Sequence, residues 1–94
     1  MTPDQRKQLN DESNRGAAAD ALLKNPMFND AFMAINRTIW SQLVKTNVHQ
    51  TEEIKALITL QKANQKLYEY FKHHVQTGRM ADIQLRELHS REKR

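Results

Sequence analysis

Apolar residues along this chain recur at intervals of three and four, and no stretch alternates in the manner of a strand. Phe28, Phe32, Ile35, Ile39 and Leu43 mark one helical face, widened by Met27, Ala31 and Met33. Ile54, Leu57, Ile58, Leu60, Leu67, Phe71 and Val75 mark a second. Between the two faces lies the polar connection Thr46 to Thr51, of ordinary length for an antiparallel helical hairpin. Asn25-Pro26 predicts a helix start, because proline disfavours helical geometry at Asn25 and that side chain then caps the new helix. Thr51 is the expected cap of the next helix, with Glu52 and Glu53 favourably placed in its first turn. Gly78 is the expected stop, glycine supplying a left-handed turn.

The flanks read differently. Thr2-Pro3-Asp4-Gln5 has the features of a helix start with a capping box. The stretch that follows is polar to about residue 14 and then turns to Ala17, Ala18, Ala19, Ala21, Leu22 and Leu23. Gly16 weakens the join by about 1 kcal/mol relative to alanine. The first part is therefore expected as a polar arm over 1–14, frayed unless covered, and the second as a helix crossing the hairpin. After Gly78, Met80, Ile83, Leu85 and Leu88 predict a short basic terminal helix over 79–94. The expected fold is all-α in a single helical domain, 1–94. An antiparallel hairpin of residues 26–46 and 52–77 carries an N-terminal crossing helix and a short C-terminal helix.

Lengths point to self-association. The second helix of the hairpin outreaches the first by about 9 Å at 1.5 Å per residue. Phe71 and Val75 in that overhang need cover, and Trp40 lies about a third of a turn off its own helix's stripe. These three are the expected oligomer interface. Gln61 and Asn64 interrupt the apolar stripe, either facing solvent or fixing register at a seam. A 94-residue chain with 38% hydrophobic residues has a thin core, for which oligomerisation is a common supplement.

Composition narrows the chemistry. There is no cysteine, hence no disulfide and no thiolate metal site. No apolar run suggests a signal peptide or a membrane span, so no membrane partner is expected. His73 and His74 are neighbours on a helix and point about 100° apart, unlike the spacing of four that suits one metal. Ser13, Ser41 and Ser90 lack a nucleophile elbow, and the two glycines do not form a phosphate loop. The chain is expected to be no enzyme and to need no cofactor. Net charge is +4, half of it between Arg79 and Arg94, where five basic residues meet three acids. Lys55, Lys62 and Lys66 fall on one side of their helix. With Arg86, Arg91, Lys93 and Arg94 they are the candidate DNA-phosphate contacts, although no helix-turn-helix and no base-stacking platform accompanies them.

The order Arg15-Gly16, Ala19, Leu22-Leu23, Asn25-Pro26-Met27-Phe28, Ala31-Phe32, then Trp40, Thr46, Glu52-Glu53, Leu57, Lys62, Leu67 and Thr77-Gly78-Arg79-Met80-Ala81 resembles a family of small helical proteins of tailed bacteriophages and prophages. The resemblance covers roughly residues 15 to 85. It implies a phage setting more than an activity, since that family is mostly of unassigned function and carries no catalytic residues. In that setting the leading expectation is a DNA-packaging accessory resembling a terminase small subunit, oligomeric and touching DNA phosphates. The alternatives are a modulator that blocks a host or defence protein through a helical face, and a structural capsid or connector component. The expected place is the host cytoplasm or the virion.

Overall fold

The computed structural model describes residues 2–92; Lys93 and Arg94 lie outside them. It is all-α: among the described residues there are three helices and no strand. They are α1 (Pro3–Lys24), α2 (Pro26–Lys45) and α3 (Thr51–Glu92). The helices sort into two compact units, one of residues 1–23 with 70–94, the other of residues 24–69. The 42-residue α3 gives its first half to one unit and its second half to the other.

In the second unit α2 runs antiparallel to the first half of α3. The Phe32 ring meets Tyr68 edge-on at 5.6 Å, and Gln61 Nε2 donates to Asn36 Oδ1 at 2.5 Å. Asn25 starts α2 as expected: its Oδ1 accepts from the backbone N–H of Met27 and of Phe28, satisfying two donors that have no partner inside the helix. The connection to α3 is held by its own polar residues. Asn47 Oδ1 accepts from the His49 amide, and the Asn47 amide donates to Gln50 Oε1. Thr51 is the first helical residue of α3, one place inside the expected cap.

The contact between α2 and α3 follows a heptad seam. On α3 its positions are Ile54, Leu57, Gln61, Asn64 and Tyr68; on α2 they are Phe32, Asn36, Ile39 and Leu43. Ile39 and Leu57 are buried at its centre. The seam is narrower than the two apolar faces read from the sequence. Ile35, Ile58, Leu60 and Leu67 are exposed beside it, whereas Gln61 and Asn64 are half-buried within it. Those amides therefore belong to the packed face rather than to solvent. Polar residues at a seam fix register at a cost in stability, and Gln61 Oε1 is buried without a hydrogen-bond partner.

In the first unit α1 runs antiparallel to the second half of α3. Arg6 pairs with Glu92, the Ser13 hydroxyl donates to Asp82, and Gly16 lies against Gly78. A Cβ built on Gly16 would stand 2.6 Å from the Gly78 Cα and 2.8 Å from the His74 carbonyl oxygen. One built on Gly78 would stand 2.6 Å from the Gly16 Cα. The two glycines thus allow two helix backbones to touch, and Ala19, Val75 and Ala81 are buried around the same contact.

Two local expectations are corrected here. Gly78 does not stop a helix: it has no positive φ and sits inside α3, which continues to Glu92 in place of a separate terminal helix. The tertiary contact across Gly78 outweighs the roughly 1 kcal/mol that glycine costs a helix. The stretch 1–14 is likewise not a frayed arm beyond its first residues. Helix α1 begins at Pro3, and the Thr2–Gln5 capping box forms, the Gln5 amide donating to Thr2 Oγ1 while Gln5 Oε1 accepts from the Thr2 amide.

Candidate helical interface

A seam only one residue pair wide leaves both flanks of the α2–α3 unit uncovered. On one flank Ala31, Ile35, Thr38 and Gln42 follow each other down α2, with Ala56, Leu60, Ala63 and Leu67 down α3. Both sets recur at the three-four spacing of a second heptad stripe. The two stripes lie on the same side of the unit, because Gln42 and Ala56 line one shallow groove. Ile35, Leu60 and Leu67 are 50%, 56% and 50% exposed. None of the eight positions is charged, but Lys45 and Glu53 line the same groove as Gln42 and Ala56, and Arg37 lines another with Thr38 and Gln42.

The opposite flank is mixed. Met33, Trp40 and Val44 follow one another on α2, with Arg37 among them, and Trp40 is 51% exposed. Across from them, Asn36, Gln61 and Gln65 line a cleft with Met33. Large apolar groups and amides therefore share this side, and the orphaned Gln61 oxygen lies at its edge.

Trp40 of the expected oligomer interface is thus open to solvent on the mixed flank. Phe71 is half-buried, its ring 5.6 Å from that of Tyr70. Val75 is 8% exposed and packs inside the chain's own α1–α3 unit, so its burial needs no second protomer. The overhang of α3 is covered there by α1.

Lys55, Lys62 and Lys66 are all exposed and turn away from α2, between about 140° and 180° round α3 from Leu57. Acids share that surface: Lys55 Nζ is 3.6 Å from Glu52 Oε1, and Glu69 accepts from Gln65. Arg86 and Arg91 are exposed on the second half of α3, but five residues apart they point about 140° away from one another. Those two therefore do not share a face, although Arg86 lies about 20° round the helix from the exposed Arg79, and Lys93 and Arg94 fall outside the described residues. His73 is exposed and His74 half-buried against the Tyr70 ring, 4.4 Å between centroids. Among the described residues no group of three or more His, Asp or Glu is placed to hold a metal ion, and no helix is long and apolar enough to cross a membrane.

Compared with known family models, curated proteins and solved structures, the chain matches none.

Proposed function

We propose that this chain is a non-enzymatic helical accessory protein that works by docking helix faces, its own and those of a partner protein. The observation that carries this reading is the set of large apolar side chains left open on α2 and the first half of α3: Met33, Ile35, Trp40, Val44, Leu60 and Leu67. Scattered exposed apolar residues are ordinary, but two stripes in register on one two-helix layer mark an interaction surface. The resemblance to small helical phage proteins sets the context, and in it the reading favours a modulator or a structural component of assembly. Native mass spectrometry over a salt series tests it. Complexes held by apolar contact should persist as salt rises, whereas complexes that dissolve with salt and need DNA would overturn the reading.

The DNA-packaging alternative is favoured by one observation, the shared exposed face of Lys55, Lys62 and Lys66. Binding of that kind is sequence-tolerant, and log affinity falls against log salt with a slope of about −0.9 per phosphate neutralised. Three lysines on a surface they share with acids predict a shallow slope and weak binding. A gel-shift series at low salt measures it, and no shift at micromolar protein removes this alternative.

A further inference from the structure

We propose that α1 is a releasable strap. It lies on the second half of α3 at rest and lifts off as one piece, while α2 stays paired with the first half of α3. Release uncovers Val75, Gly78, Ala81, Leu85 and Leu88. The device belongs to the unit that does not carry the docking faces described above, so it stands or falls apart from them.

The seam that holds α1 is poor in apolar side chains. Its heptad positions are Arg6, Leu9, Ser13, Gly16, Asp20 and Leu23, and only the two leucines are large and apolar. By contrast α2 fills its seam with Phe32, Ile39 and Leu43 and a single amide, Asn36. The buried residues of α1 are Gly16 and Ala19, and neither brings more than a methyl group to the contact. Burial of apolar area supplies most of what holds a helix on its neighbour, so α1 is held more weakly than α2.

Fit and polar pairing set the position of α1 without adding much adhesion. Gly16 against Gly78 fixes the register, since a Cβ on either would meet the opposing backbone. The Arg6–Glu92 pair is about half exposed on both sides, where an ion pair contributes little. Ser13 donates to Asp82 within the contact, and both groups find water as an alternative partner once α1 has lifted.

The junction suits release. Pro26 has no N–H, and Asn25 Oδ1 caps α2 through the amides of Met27 and Phe28. The start of α2 is therefore satisfied whether α1 is docked or free. Gly16 also weakens α1 as an isolated helix, so a lifted α1 gains chain entropy by unwinding.

Native-state hydrogen exchange on the intact chain reads the device directly. The amides of α1 should exchange as one group, at least about tenfold faster than those beside Ile39 and Leu57, because they open without global unfolding. Protection of α1 equal to that of the α2–α3 seam overturns the proposal, since α1 then leaves only when the whole chain unfolds. Gly16→Leu drives a side chain into the Gly78 backbone and serves as a forced release. It should strip protection from α1 while α2 amides stay within about twofold of the parent. Loss of protection in α2 as well means that the two units open together, and overturns the strap. A second variant gives the reading with far less added bulk. The chain has no cysteine, and Ala81 is 1% exposed, so the thiol of Ala81→Cys reports the surface beneath α1. Its alkylation should be slowed by the same factor as α1 amide exchange. Protection as deep as that of the Leu57 amide counts against the proposal as firmly.

Discussion

The two units of this protein are both antiparallel helix pairs built on the same helix, yet they are packed in opposite ways. Where α1 meets the second half of α3, the contact is made of Gly16, Gly78, Ala19, Ala81 and Val75, so the backbones approach until glycine is required. Polar pairs at Ser13–Asp82 and Arg6–Glu92 extend that contact toward the helix ends. Where α2 meets the first half of α3, aromatic rings and an amide pair hold the helices, and large apolar side chains stand open on both flanks. Small residues let two helices bury each other's backbone with little left over. Bulky residues prop two helices apart, and the apolar surface beside the seam then stays open. The first unit leaves Leu22, Tyr70, Met80 and Ile83 exposed, whereas the larger set stands on the second, the half on which the docking proposal rests.

The largest expected effect tests the thin core of the second unit. Ile39→Ala removes one of its two buried hydrophobic side chains and should cost about 2–5 kcal/mol in urea unfolding at fixed protein concentration. A loss well under that range would mean the unit does not depend on its own seam. Next comes the sign of a glycine change in the first unit. In an exposed helix Gly→Ala gains up to about 1 kcal/mol. Gly78→Ala should instead destabilise, by about 1–3 kcal/mol, since its Cβ meets the Gly16 backbone. A stabilised variant would show that the close approach is not real. Asn25→Ala should cost about 1 kcal/mol through loss of the α2 cap, read from the same unfolding curves. Replacing both amides, Asn36→Leu with Gln61→Leu, should gain up to about 1 kcal/mol by removing the unpaired buried oxygen without orphaning its neighbour. A loss of stability instead would mean that the Gln61–Asn36 pair is worth more than its orphaned oxygen costs. Smallest of all, Lys62→Ala should change stability by less than about 0.5 kcal/mol, as fits an exposed side chain away from every packed contact.

Much of the local structure was legible in the residues. The Asn25 cap before Pro26, the polar connection after Lys45 and the Thr2–Gln5 capping box are each made by groups within a few residues of one another, so short-range chemistry decides them. The helical class follows from spacing alone. The sites were less legible. Ile35, Leu60 and Leu67 share the three-four spacing of the core residues, because two neighbouring heptad stripes on one helix have the same period. Periodicity shows that a helix is amphipathic without showing which stripe meets its partner, and here the stripe containing Asn36, Gln61 and Asn64 does so.

The sequence by itself determined that this chain is helical, where its first two helices are capped and where the turn between α2 and α3 falls, since those outcomes rest on contacts between near neighbours. It did not determine what its two glycines do. A glycine beside threonine and arginine reads as a helix stop, and only the arrival of α1 sixty-two residues away in the chain turned Gly78 into a point of backbone contact inside an unbroken α3. Tertiary structure decided this because the competing terms are of similar size. The cost of glycine in a helix is about 1 kcal/mol, and close packing of two helix backbones is enough to outweigh it.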